Sequence, residues 1–462
     1  MTTKNNFWNI TFIYSIGFLG LRAISFLLLP LYTNLLSAKE AGYIFIFYTI
    51  IAFLNTVYSH GMDSSLLKYY KQENSKKIIT TSFLYSICWG IVLSLIVYIF
   101  HQPLIYFNTV SIYSSKTIAL FVIGILFCDM LSSRLMTIIR LLEKPIYFLM
   151  VSLANVLLSI SLNIYFIKSL SMGFNGALLA LVYVSIIQLL LLLPLLASNL
   201  KIFQFDYALL KKMLLFSMPF LPASIFFIMI EMADRVMLGW LSSVEDVGLY
   251  GAGYKIGAVV LLIVRAFNLN WQPFYLKSEH NDGVKQFEHI GSRFIVFLIF
   301  ISTIITMIWP IIFKIKINSI YLIGESFWSG GEIIPIVAFS YAIYGVFILQ
   351  MPSIYIKNKQ SWVPYFWGVG FIINFISNYL LIPIYGFYGA AFSTFFAYLF
   401  MSLFLLYKNQ SWLPIKYNLY DILYISILSS LAFLAYFKLE LILIIIIYVI
   451  IGAFKIYKMQ RA

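Results

Sequence analysis

The 462-residue chain is short of most things a soluble protein displays. Charged residues make up 10% of it and hydrophobic ones 62%, whereas soluble domains carry roughly 25% charged residues. Mean hydropathy is +0.94. That balance excludes a soluble enzyme, and it excludes disorder, which needs low hydrophobicity and high charge. Cysteine and histidine are also scarce, with two and four copies. Cys88 and Cys128 lie in apolar runs and read as small buried hydrophobes, so there is neither a disulfide framework nor zinc-ligand spacing. His60, His101, His280 and His289 form no metal-binding pair and read as solvated surface. No polar loop is long enough to house a catalytic core. The net charge of +14 comes from 31 basic and 17 acidic residues, but the bases are scattered and form no patch for nucleic acid.

What the sequence has is apolar length. A helix crossing about 30 Å of hydrocarbon needs roughly 20 mostly apolar residues. Division at charged or Gly-, Pro- and Asn-rich breaks gives about fourteen such segments: 8–33, 42–60, 80–100, 117–139, 145–168, 174–197, 213–240, 247–275, 289–313, 331–353, 361–384, 387–407, 421–437 and 441–457. The first is too long for a signal peptide core, carries Arg22 and lacks a small-residue cleavage site, so it reads as a span. Trp271, Trp328 and Trp362 sit near segment ends, where indole rings prefer the headgroup zone. With fourteen spans both termini share one side, which carries twenty of the Lys and Arg residues against six opposite and five inside spans. The positive-inside rule then predicts cytoplasmic termini. The richness in Ile, Asn, Lys and Tyr suits an AT-biased bacterial gene and hence the plasma (inner) membrane.

The chain is written twice. Leu36-Ser37-Ala38-Lys39-Glu40-Ala41-Gly42-Tyr43 returns as Leu241-Ser242-Ser243-Val244-Glu245-Asp246-Val247-Gly248-Leu249-Tyr250. Asn163 and Gly173-Phe174-Asn175-Gly176-Ala177 return as Asn378 and Gly386-Phe387-Tyr388-Gly389-Ala390. Six spans per copy is an even number, so both copies enter the membrane in the same sense. The expected fold is therefore an all-α polytopic membrane protein, with two parallel-related six-helix lobes around a central cavity and a C-terminal helical hairpin. The expected boundaries are 1–200, 201–410 and 411–462.

Ionisable side chains at the bilayer centre cost roughly 2.5 to 3.5 kcal/mol on insertion scales, so they are kept for protein interiors or wet cavities. Eight lie within the segments: Asp129, Glu231 and Asp234 against Arg22, Arg134, Arg235, Lys255 and Arg265. Glu231 and Arg235 are four apart and can neutralise each other. Arg134 lies near a segment end, where it can snorkel. Arg22 and Arg265 have no carboxylate within a helical turn and read, with Lys255 and Arg235, as cavity cations that bind an anion. Asp129, Glu231 and Asp234 are the candidates for ion coupling. Asn155, Asn163, Asn374 and Asn378 read as interhelical hydrogen-bond partners. Pro219 and Pro222 predict a kink in the seventh segment.

The run Phe216-Ser217-Met218-Pro219-Phe220-Leu221-Pro222, followed by Asp234-Arg235-Val236-Met237-Leu238 and Glu245 to Tyr250, resembles the second-lobe opening of polysaccharide-export flippases. Asn270-Trp271-Gln272-Pro273-Phe274 is similar too, as are Arg22, Pro30-Leu31-Tyr32-Thr33 and the Ser37 to Gly42 turn in the first lobe. The resemblance covers spans one to twelve. It implies the O-antigen and capsular lipid-linked oligosaccharide flippases of the multidrug/oligosaccharidyl-lipid/polysaccharide exporter superfamily. A related flippase for the lipid-linked peptidoglycan precursor carries essential arginines in its first and eighth spans, and Arg22 and Arg265 occupy comparable places here.

The expected activity is movement of an undecaprenyl-pyrophosphate-linked oligosaccharide from the cytoplasmic to the outer leaflet by alternating access, with no enzymatic chemistry and no cofactor beyond a coupling proton or sodium ion. Expected partners are this substrate, membrane lipids, and the polymerase and chain-length regulator of the same pathway. The rival readings are a multidrug or organic-cation antiporter of the same fold, which would line its cavity with acids and aromatics, and a membrane-embedded polymerase or ligase, which would need a sizeable outward loop.

Overall fold

The computed structural model describes the chain except for residues 1–16, 18–19, 22–23, 25, 71–73, 196–203, 278–282, 319, 440–441 and 462. Arg22, with most of the first expected span, and His280 lie outside the described residues. Contacts divide the chain into two compact units, Met1–Ile228 and Met229–Ala462.

The first unit holds α1 (Leu29–Leu35), α2 (Ala38–Ser59), α3 (Met62–Tyr69), α4 (Ser75–Ile99), α5 (Ser115–Leu141), α6 (Pro145–Asn163), α7 (Gly173–Leu192) and α8 (Tyr207–Ser217). A π-helical turn, Ile164–Ser169, extends α6. Polar side chains set where these helices begin. Ser37, Asn74, Ser114 and Asp206 accept backbone N–H groups that the first turn would otherwise leave unpaired. Ser37 forms a capping box, in which Glu40 reaches back to the Ser37 N–H at 3.1 Å. Pro145 opens α6 at a position where a missing N–H costs nothing. Helix α8 packs on α3, where Ser65 Oγ donates to the Met213 carbonyl at 2.7 Å.

Helix α9 (Phe220–Leu241) runs from the first unit into the second. Pro219 separates it from α8, so the seventh expected span is two helices. The second unit continues with α10 (Val244–Gly257), α11 (Val259–Lys277), α12 (Gly283–Lys314), α13 (Ile334–Leu349), α14 (Met351–Ile356), α15 (Val363–Tyr385), α16 (Phe387–Trp412), α17 (Leu419–Leu439) and α18 (Ile442–Arg461). A two-residue antiparallel ladder, Lys316–Ile317 with Ile320–Tyr321, precedes a 3-10 segment at Glu325–Ile333. Helices α10 and α11 meet at a 42° bend. The hairpin of α17 and α18 packs on α12 through Val296, Phe300, Met307, Ile425, Tyr436 and Tyr448, and Ser429 and Tyr448 share a hydrogen bond of 2.8 Å.

The chain is thus an all-α, multi-pass membrane protein. Described helices occupy every expected segment, the first chiefly at its end. Ten are long and apolar enough to cross a membrane, and the bent pair α10–α11 makes an eleventh, where the sequence suggested about fourteen. The seventh segment falls short because it is broken and its longer half carries Glu231, Asp234 and Arg235. Two small expectations need correction. Cys88 is exposed on an apolar helix face, and His60 is fully buried rather than solvated, with Nδ1 2.9 Å from the Tyr58 carbonyl oxygen.

Candidate functional site

Helix α9 places Glu231, Asp234 and Arg235 on one face, because residues three and four apart are neighbours on a helix. All three are at least nine-tenths buried. Arg235 folds back along its own helix. Its Nη1 donates to Asp234 Oδ1 at 3.1 Å and to the Glu231 carbonyl oxygen at 2.8 Å. The expected Glu231–Arg235 carboxylate pair is therefore replaced by Asp234–Arg235. Tyr250, from α10, donates to the second oxygen of Asp234. The guanidinium lies 4.3 Å from the centre of the Tyr254 ring, a cation–π contact in a water-poor setting.

Glu231 turns to a different set of partners. Tyr341 of α13 donates to it at 3.2 Å, and Tyr398 of α16 also donates to Oε1. The Tyr254 and Tyr341 hydroxyls are hydrogen-bonded to each other. These tyrosines are buried, so the carboxylate is held by donors that cannot easily turn to water. Arg265 of α11 completes the set, with Nη2 3.6 Å from Glu231 Oε2. The sequence left Arg265 without an acid because Glu231 is distant in the chain; the fold supplies one. The Arg265 side chain keeps 31% of its surface accessible, against 8% for Glu231. Lys255 is half-buried on α10. Glu231, Asp234, Arg235 and Arg265 therefore form one tyrosine-bounded network in the second unit. The sequence does not single these tyrosines out, because 34 of them, most near segment ends, look alike as interfacial anchors.

The first unit builds a separate ionic group. Arg134 of α5 is fully buried and does not snorkel: Nη1 pairs with Asp63 Oδ1, Nη2 donates to the Ser59 carbonyl at 2.8 Å and Nε to Ser86 Oγ at 3.1 Å. Asp63 also accepts from Ser133 at 2.9 Å. Asp129 stands apart from this pair and accepts from Asn55 Nδ2 at 3.2 Å. Asn163 accepts from Tyr32 at 2.9 Å and Asn155 donates to Gln188, both between helices as expected. Asn374 and Asn378 instead pair within α15 at 3.0 Å. No group of three or more metal-ligating residues forms among the described residues.

Three comparisons bear on this architecture. Among solved structures, the chain is similar to the lipid II flippase MurJ in an inward closed conformation, with a TM-score of 0.68 at 16% identity over 97% of this chain and 98% of that one. It is also similar to an inward-facing multidrug resistance MATE family transporter of the MOP superfamily (TM-score 0.61, 11% identity, 84% and 94% covered). A third is the Vibrio cholerae MATE transporter VcmN in the bent form (TM-score 0.55, 13% identity, 87% and 95% covered). At such identities the likeness is one of fold, and these folds are those of flippases and transporters rather than enzymes. No curated protein matches the chain in sequence. The profile of one family, polysaccharide biosynthesis protein, matches residues 7–273, more than half of the chain and including α9, Lys255 and Arg265. The chain belongs to the polysaccharide biosynthesis protein family.

Proposed function

We propose that the chain is a flippase that carries an undecaprenyl-pyrophosphate-linked oligosaccharide, an O-antigen or capsule repeat unit, from the cytoplasmic to the outer leaflet of the bacterial inner membrane by alternating access. Both termini then lie in the cytoplasm, and the polymerase and chain-length regulator of the pathway act on the delivered product.

One observation carries the reading. Arg265 is a partly accessible guanidinium held to a buried carboxylate at 3.6 Å, a separation too long for a hydrogen bond. Glu231 keeps its tyrosine donors without it. Arg265 can therefore exchange Glu231 for the diphosphate of a substrate, which an arginine fork binds through two parallel hydrogen bonds. Lys255, on α10, and Arg22 add charge if they face the same path. Arg235 stays with Asp234 and tunes the field. Neutralising Glu231 with a proton would loosen its hold on Arg265 and favour substrate capture. That is the simplest coupling this network offers, with Asp234 and Asp129 as the other carboxylates open to a proton or sodium ion. A diphosphate needs such a cationic path because unsatisfied polar groups in hydrocarbon cost several kcal/mol each. An organic-cation antiporter would gain nothing from Arg265 and Lys255.

The test is genetic and chemical. In the native host, Arg265→Ala should abolish surface polysaccharide while protein level in the membrane holds, and Arg265→Lys should restore part of it. Deleting the gene should accumulate complete lipid-linked repeat units facing the cytoplasm. Normal polysaccharide in Arg265→Ala would reject the role of that residue, and absence of lipid-linked repeat units after deletion would reject the substrate.

A further inference from the structure

A cleft of about 270 Å³ opens where the loop before α17 crosses the first turns of α12. Its charged and phenolic walls are Glu288, His289, Arg293, Lys416, Tyr417 and Asp421. It shares no lining residue with the Glu231 network.

Both carboxylates there are already engaged. Glu288 Oε1 accepts the Lys416 backbone N–H at 2.9 Å. Asp421 accepts from Asn418 Nδ2 at 2.7 Å and pairs through its other oxygen with Lys455. The donors are not. The side chains of His289, Arg293 and Lys416 make no hydrogen bond or ion pair with any described residue, and the Tyr417 hydroxyl is buried without a partner. Burial, with Glu288 nearby, pushes the Tyr417 phenol up, so it remains a donor at physiological pH. Counting Lys455 against Asp421, the cleft keeps one positive charge in excess. Unused donors around used acceptors are what a single phosphate monoanion needs.

The surroundings say what carries that phosphate. Leu419, Leu423, Ile427, Leu431 and Leu434 run along one face of α17, each more than half exposed. This stripe starts at the cleft. On α18 the exposed residues Leu443, Ile450, Phe454 and Tyr457 run back towards Met459, which lines the cleft. In a membrane these faces meet acyl chains.

We propose that the cleft seats the phosphate of an anionic membrane phospholipid, whose acyl chains lie along the exposed stripes of the α17–α18 hairpin. Arg293 and Lys416 supply the charge, and Tyr417 and His289 supply further donors. The assignment goes beyond transport of the substrate, and it is read without measuring transport.

The experiment uses the full chain purified in neutral detergent. Dihexanoyl phosphatidylglycerol, dihexanoyl phosphatidylcholine, glycerol phosphate and inorganic phosphate are each titrated while the thermal midpoint is followed, and retained lipids are counted by native mass spectrometry. Phosphatidylglycerol should raise the midpoint and remain bound, whereas phosphatidylcholine should do neither. The double variant R293Q/K416Q should unfold at the unliganded wild-type midpoint and bind phosphatidylglycerol at least tenfold more weakly. Salt at 0.5 M should weaken binding to the wild type, a readout that needs no variant. Equal effects of phosphatidylglycerol and phosphatidylcholine, or unchanged binding in both the variant and high salt, would overturn the site. An equal effect from glycerol phosphate or inorganic phosphate would overturn its assignment to a lipid.

Discussion

Arg134 and Arg265 show why single charges were only half legible. Both are recognisable in the sequence as expensive residues within apolar segments, yet their partners are set by helix packing. Arg134 finds Asp63, a residue that reads as part of a polar break, and Arg265 finds Glu231 across 34 positions of chain. The two pairs differ in consequence. Arg134 is fully buried, so Arg134→Ala should strand Asp63 and destabilise the protein by on the order of 3 kcal/mol. The combined variant Arg134→Met with Asp63→Leu should recover most of that loss in thermal unfolding in detergent; failure to recover would assign the loss to packing. Outside the membrane, Asp206 caps α8 and pairs with Lys77. The Lys77 contact, with the backbone N–H of Leu209, holds its carboxyl below the ordinary value. Its contribution is therefore present above the ordinary aspartate range and lost as pH falls through the lower folded value. Asp206→Asn keeps the cap and removes the charge, so the melting temperature of the variant should approach that of the wild type as pH drops below the carboxylate range.

Helices were the most legible elements, because a run of roughly 20 apolar residues has few alternatives in a membrane. The breaks were legible only where chemistry marks them, as Pro219 does between α8 and α9. The bend between α10 and α11 carries no proline, so in the sequence the pair reads as one continuous span. Nor did the sequence reveal how closely α10 approaches the 3-10 segment at 325–333. A side-chain carbon on Gly253 would sit 1.8 Å from the Gly330 carbonyl oxygen, so the two backbones touch. Gly253→Ala must push that segment away and should cost at least about 1 to 3 kcal/mol as overpacking. Gly124 has open space around it, and Gly124→Ala should leave the thermal midpoint unchanged or slightly raised.

For the molecule as a whole, the duplication read in the sequence has a physical counterpart inside each unit. Ser37 and Ser243 cap the corresponding helices α2 and α10. In the first unit the Glu40 carboxylate lies beside Gly173, and in the second the Asp246 carboxylate lies beside Gly386. Both glycines have positive φ, 53° and 54°, and Gly386, with ψ at −132°, lies in a mirror-β conformation that glycine alone adopts readily. The two repeated motifs were thus visible as words, while the contact that joins them within each copy was not. Gly173→Ala and Gly386→Ala should each destabilise the protein in thermal unfolding, Gly173→Ala through a clash with the Glu40 carboxylate, which a new carbon would meet at 2.6 Å, and Gly386→Ala through its backbone. If only one of the two variants loses stability, the copies no longer share this joint.

The 42° bend at Ala258 sets up a lever. Arg265 lies seven residues beyond it, about 10 Å along the helix at 1.5 Å per residue. A change of about 10° at the bend would sweep the guanidinium through about 2 Å, enough to part it from Glu231 or press it closer. A small rotation at one joint could therefore decide which anion this arginine holds.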